Sequence, residues 1–301
     1  ILRSYEEVLS MQEFEYVAPA TIEEAVSLMS EKGVRARALA GGTDILIQLR
    51  ALQHVVDRLV DVKNIAEMQE LTCSDKDGLK VGAAVACHRI YEHPDVQRLY
   101  PGLIDSASLI GGIQIQGRAS IGGNLCNSTP SGDSIPSQIA LSGTCEIAGP
   151  NGRRSVPVED FCTGPRRNVL EEGELLVSVH FPAPQANSGT HFLRFIPRNE
   201  MDIAVANSAA TVVLDESKQK IVSARIALGS VAPVVVMATE AMSFLEGKDA
   251  TEETCAAAGE KAKGAATPIS DMRGTVKQRT HLVGVLTKRA LIKAISRARG
   301  E

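Results

Sequence analysis

Clustered cysteines, basic runs and long apolar stretches are all missing from this sequence, and each absence removes a class of function. The six cysteines, Cys73, Cys87, Cys126, Cys145, Cys162 and Cys255, form no C-x-x-C pair and no tight group. That spacing argues against a zinc site, an iron–sulfur site or a disulfide framework. Free thiols, and with them a cytoplasmic location, are the expectation. Lys and Arg number 32 against 36 Asp and Glu, a net charge of −4, so there is no electrostatic reason to expect nucleic acid. No run approaches the roughly 18 apolar residues of a membrane span, and no signal peptide is expected, since a basic segment followed by an apolar core is lacking. The patterns G-x-S-x-G, H-E-x-x-H and G-x-x-x-x-G-K-S/T are absent, which removes esterase, zincin and P-loop NTPase chemistry. G-x-G-x-x-G at a helix start is also absent, which weakens a direct NAD dehydrogenase. His88 and His93 stand five residues apart, the wrong spacing for two metal ligands on one helix face. Tryptophan is missing altogether, so a bound chromophore would dominate the absorption spectrum.

What is present is a stretch from Arg118 to Pro136 dense in glycine, small hydroxyl and amide side chains, with no lysine. Such composition is expected outside any core. Ser120, Gly122, Gly123 and Asn124 could offer backbone N–H groups and short donors to a phosphate oxygen, because glycine lets the main chain approach a ligand closely. Hydrogen bonds to charged groups contribute about 1.5–3 kcal/mol each, so three or four could hold a diphosphate without a cationic side chain. Asp133 has the acceptor-only chemistry that suits a ribose diol. A second segment, Ala38 to Arg50, reads as a short strand, the turn Gly41-Gly42, and a helix with Thr43 or Asp44 as N-cap. Either turn alone is equally well described as a well-formed loop.

The two segments together, Ala40 through Asp44 and Ser120 through Asn124 with Asp133, resemble the paired FAD-binding motifs of the medium subunit of the molybdenum hydroxylases. That family includes xanthine dehydrogenase and aerobic carbon monoxide dehydrogenase. The resemblance continues through Asp160 to Arg167, Glu174 to Leu176, Arg198 to Ala204 and Ser270 to Gly274, and so covers nearly the whole chain. It implies an α+β protein: a PCMH-type FAD-binding domain of two α/β subdomains over residues 11–184, then a C-terminal flavoprotein domain over 190–299 with a three-stranded antiparallel sheet and helices. It further implies FAD contacts from Leu39, Ala40, Gly41, Gly42, Thr43, Asp44, Ile45, Ser120, Ile121, Gly122, Gly123, Asn124 and Asp133. Ile110 and Leu176 would lie on the flavin ring and Arg194 near the cofactor. Asp202 would fix the second domain against the first. Gln278 stands where relatives often carry an aromatic.

The local pattern fits that plan. Residues before Met11 look appended. Strand character over Glu13–Ala18, a capping box at Thr21 and a helix stopped by Gly33 lead into the first glycine turn, with Leu59–Val62 a candidate third parallel strand. Strands are expected over Leu79–Ala86, Thr144–Gly149, Arg153–Val158 and Leu175–Phe181, with helices over His88–His93 and Pro101–Ile110. Pro182 to Gly189 marks the domain boundary. Three strands, 191–196, 206–214 and 221–228, then precede helices over 237–245, 252–262 and 277–297. The basic last helix reads as a solvated face.

The resemblance implies a FAD-carrying electron-transfer subunit without catalytic residues or a metal of its own. Electrons would come from 2Fe-2S clusters of a small partner subunit and begin at a molybdopterin centre in a large one, in a dimer of heterotrimers. Two alternatives stay open: a stand-alone PCMH-fold flavin oxidoreductase acting on a small molecule, and a scaffold that has lost its cofactor.

Overall fold

The computed structural model describes residues 12–301, so the expectations that residues before Met11 are appended and that a domain starts at Met11 lie outside the described residues. The first layer is a parallel sheet of β1 (Glu15–Val17), β2 (Ala36–Leu39) and β3 (Arg58–Asp61), with β3 in the centre. The Ile22–Met29 helix connects β1 to β2. Thr21 caps it by accepting from the Glu24 amide at 3.1 Å, and Glu24 reaches back to the Ala20 amide at 3.0 Å, one residue earlier than the expected box. Arg58, buried at the start of β3, donates to Glu15 at 2.5 Å, to Glu31 at 2.6 Å and to the Leu28 carbonyl at 3.2 Å, which ties the layer to the end of its helix.

The second layer is antiparallel, in the order β4 (Leu71–Ser74), β5 (Gly78–Gly82), β10 (Leu175–Phe181), β6 (Thr144–Gly149) and β7 (Gly152–Pro157). The expected strand from Leu79 ends at Gly82, because residues 83–86 leave the sheet and the Cys87 amide pairs with the Ala119 carbonyl at 2.8 Å. β4 has no counterpart in the sequence pattern, since its burial does not alternate. β8 (Cys162–Gly164) and β9 (Arg167–Asn168) form a small separate ribbon. Between β5 and β6 the chain is helical. Pro94 and Pro101 each open a helix, where a missing N–H costs nothing.

The second domain pairs β11 (Ser188–Phe195), β12 (Ala206–Leu214) and β13 (Ile221–Gly229) antiparallel, as expected, and adds β14 (Val236–Met237) as a two-residue edge. That edge takes Met237 out of the expected helix, which starts at Thr239. The Val276–Arg299 helix covers β11 and β12 and the Thr239–Leu245 helix packs on β13, while the Glu252–Ala262 helix packs on those two helices. No helix among the described residues is long and apolar enough to cross a membrane.

Asp202 does not tie the domains together. Its carboxylate stays within its own loop, taking the Ile203 amide at 2.8 Å and Arg198 at 3.4 Å. Asp105 does so instead, from the Pro101–Ala107 helix, meeting His191 Nδ1 at 2.5 Å and the Arg297 guanidinium at 2.5 and 3.0 Å. Burial alone would raise the Asp105 carboxyl, but the bonds from His191 and Arg297 outweigh it and hold it below its ordinary 3.8. A depressed folded value means stability present above 3.8 and lost as the pH falls through the folded value. Asp105→Asn is therefore expected to cost about 3 kcal/mol near neutral pH, the lower end for a broken buried pair. The deficit should shrink in acid, and urea denaturation at both pH values checks it.

Candidate functional site

The Arg118–Pro136 stretch is not the surface loop its composition suggests. Ser120 caps an Ile121–Asn127 helix by accepting from the Gly123 amide at 3.0 Å, and Ile121 and Leu125 bury one turn apart. The following Ser134–Ala140 helix is buried throughout. Among its polar side chains, Ser134 donates to Asn124 Oδ1 at 2.8 Å and Gln138 donates to Ser134 at 3.0 Å, while Ser137 Oγ and Gln138 Oε1 find no partner among the described residues.

Beside this helix the first glycine turn comes to rest. A Cβ placed on Gly41 would lie 1.9 Å from the Arg118 carbonyl oxygen, so the two motifs, nearly eighty residues apart in sequence, touch through their main chains. Gly42 is left-handed, at φ +78°, which turns the chain from β2 into the Ile45–Arg50 helix. Lys63 secures the strand end, donating to the Ala40 carbonyl at 3.1 Å and Asp61 at 2.6 Å. Gly122 faces the Ala83 carbonyl, where a Cβ would sit 2.5 Å away. These contacts leave no room for a side chain at either Gly41 or Gly122.

Between the motifs lies a cavity of about 480 Å³. Of the residues expected at a cofactor, Ala40, Gly41, Gly42, Thr43, Asp44, Ile45, Ile110, Ser120, Gly122, Gly123, Asn124 and Leu176 line it. Four do not. Leu39 and Ile121 turn into the core. Asp133 and Arg194 instead face each other across the domain boundary at 2.5 Å, both nearly buried and away from the cavity wall. Arg194 is thus neither solvent-facing nor at the cofactor cavity, because the Asp133 carboxylate gives a buried guanidinium its partner. Burial pushes the Asp133 carboxyl up to about 7, with Arg194 pulling the other way.

Asp44 occupies the N-cap position without a side-chain capping bond, contrary to expectation. The amides of Gly42, Thr43, Asp44 and Ile45 consequently carry no protein partner among the described residues, nor do those of Ile121 and Gly122. The Gly123 and Asn124 amides, expected to face a ligand, are used by Ser120 inside the helix cap. Arg37 also lines the cavity as its one cationic side chain and pairs with no carboxylate among the described residues. Only its alternation along β2 hinted at this. Burial pushes the Cys126 thiol, another wall residue, up to about 12, so it is no nucleophile near neutral pH.

Unpaired amides on two facing turns, with one arginine above them and apolar Ile110 and Leu176 in the same cavity, fit a molecule with a diphosphate and an apolar ring. Comparison with known proteins agrees. Residues 12–184 match the family model described as the FAD binding domain in molybdopterin dehydrogenase. The chain belongs to that family. Residues 191–294 match the CO dehydrogenase flavoprotein C-terminal domain. A putative xanthine dehydrogenase FAD-binding subunit of Escherichia coli K12 is 33% identical over 95% of this chain and 97% of its own length. Carbon monoxide dehydrogenase from Hydrogenophaga pseudoflava superposes with a TM-score of 0.90 at 32% identity, covering 96% of this chain and 99% of that one. Quinoline 2-oxidoreductase from Pseudomonas putida 86 does so at 0.89 and 31%, over 96% and 99%. The chain is thus an FAD-binding subunit of the molybdenum hydroxylase type.

Proposed function

We propose that this chain is the FAD-carrying electron-transfer subunit of a molybdenum hydroxylase complex. It takes electrons from 2Fe-2S clusters of a small partner subunit, fed by a molybdopterin centre in a large subunit, and passes them to an external acceptor. The assembly is a dimer of heterotrimers. The observation that carries this reading is the contact of Gly41 with the Arg118 main chain, which brings both sets of unpaired amides onto one cavity.

The diphosphate would be held by the amides of Gly42, Thr43, Asp44, Ile121 and Gly122, with the Ser120 hydroxyl and the Asn124 side-chain Nδ2 beside them. Ala40, Gly41 and Ile45 shape that cradle, and Ile110 and Leu176 pack on the ring. FAD, once bound, supplies electron transfer; the protein's part is to orient it and exclude water. Asp133 stands apart from the cavity in its bond with Arg194 and acts on the cofactor only through the domain boundary.

Past Ile110 the chain exposes Ile113, and the end of β11 and the loop after it expose Phe195, Met201 and Ile203. A Cβ on Gly112 would lie 3.1 Å from Met201 Cγ, so the two groups are neighbours. An apolar patch next to the ring end of the cavity suits a permanent protein partner. The iron–sulfur subunit is the partner we assign to it. Co-purification from the native source should yield a yellow complex containing molybdenum and iron. Ile113→Asp with Met201→Asp should release this chain, still yellow, at least tenfold more readily in dissociation measured by analytical ultracentrifugation. Turnover of a small organic substrate by the isolated chain would overturn the reading.

A further inference from the structure

The sheet face that meets the FAD-binding domain changes character along its length. Phe192 and Ala209, paired across β11 and β12, are buried against Ala140 and Leu109. Two residues along, Thr190, Thr211 and Arg225 form a row across β11, β12 and β13, in register and on the same face. There the domains part, and a cavity of about 330 Å³ opens between them, separate from the FAD cavity.

Three arginines line it, Arg98, Arg225 and Arg297, and among the described residues no carboxylate does. Each guanidinium is fixed from behind. Arg98 is held by Asp75 and Asp95, Arg225 by Glu159 and the Ile139 carbonyl, and Arg297 by Asp105 and the Thr190 carbonyl. Arg225 Nη1 and the Nε groups of Arg98 and Arg297 keep no partner among the described residues. The Thr190 and Thr211 hydroxyls bond each other at 2.9 Å and can turn to a ligand. Leu141 and Val213 supply apolar wall.

We propose that this seam binds a small organic monocarboxylate with an apolar body. Oriented N–H groups on pre-positioned guanidinium planes suit a carboxylate. Four acids, Asp75, Asp95, Glu159 and Asp105, stand behind the three arginines and leave no net positive charge, so recognition rests on the free N–H groups and disfavours a multiply charged phosphate. A cavity at the lower end of the ligand-site range takes a compact molecule such as an aromatic acid. Such a ligand bridges Arg98 of the first domain to Arg225 and Arg297 of the second and so tightens the seam.

Benzoate titrated into the purified FAD-loaded protein by calorimetry tests this, with inorganic phosphate as the contrast. Saturable benzoate binding tighter than about 1 mM is expected. Arg225→Met should weaken it at least tenfold, and Thr211→Val, which removes a hydroxyl at constant shape, should weaken it less without unfolding risk. Absence of benzoate binding to the wild type, binding unchanged in both variants, or phosphate binding as tight as benzoate would each overturn the assignment. Flavin content read on the same samples separates this outcome from any failure of the cofactor site.

Discussion

A Gly41→Val chain is expected to purify without flavin. The added Cβ would sit 1.9 Å from the Arg118 carbonyl oxygen and 2.5 Å from its carbon, far inside any contact distance, and both atoms are main chain. Neither can rotate aside as a side chain would, so the two turns must separate. The immediate cost is that of overpacking, about 1–3 kcal/mol of stability. The larger cost falls on the cofactor. If separation takes two charge-assisted amide bonds out of reach, at about 1.5–3 kcal/mol each, affinity falls by roughly 3–6 kcal/mol, or about a hundredfold to ten-thousandfold. Gly117→Ala is the matched control. Its Cβ would meet nothing within 4 Å, its backbone is right-handed and it stands off the cavity wall. That variant should keep its flavin. The measurement is the flavin-to-protein ratio from visible absorbance, followed by titration of apoprotein with FAD. A yellow Gly41→Val protein with undiminished affinity would mean that the turns do not act together.

This contrast also marks how far the sequence could be read. Adjacent glycines in two distant segments were legible as places that admit no side chain, but the sequence assigned that closeness to a ligand, whereas at Gly41 the neighbour is the Arg118 main chain. β10 and β12 were legible to the residue, since their runs of Val, Leu and Ala are bounded by charge, turns or proline. Less legible was anything fixed by a partner far along the chain. Asp133 looked like a free acceptor until Arg194, from another domain, came within 2.5 Å of it. Arg118 to Pro136 looked like loop because its serines and asparagines are polar, yet Ser134 and Asn124 bond each other inside a helix pair. The Asp105 junction left no local signal at all, since it joins three residues spread over positions 105, 191 and 297. Composition reports polarity, and only topology reports whether polarity is satisfied.

The Asp133–Arg194 pair turns that point into the second large prediction. Arg194→Met is expected to lower stability by about 1.4 kcal/mol more at a pH of about 8 than at about 5.5, because a carboxyl that titrates at about 7 has only one pH unit of ionisation to forfeit there. The sign of its pH dependence follows from Asp133. Burial raises the folded carboxyl from the ordinary 3.8 to about 7 even with Arg194 opposing it. Folding therefore favours the protonated form, and that contribution is complete below 3.8 and lost as the pH rises through about 7. Without the guanidinium the folded value moves higher still, so the variant should approach the wild type at a pH of about 5.5 and diverge from it on going alkaline. Adding Asp133→Asn to Arg194→Met removes the stranded charge and should recover most of the alkaline loss, the coupling expected of residues in contact. Urea denaturation of the three proteins across that range decides the matter. A penalty equal at both ends of the range, or no recovery in the double variant, would show that the carboxylate is not held as a buried charge. FAD affinity measured alongside tells whether this pair reaches the cofactor: the boundary position predicts a change of only a few fold, against the hundredfold or more expected at Gly41.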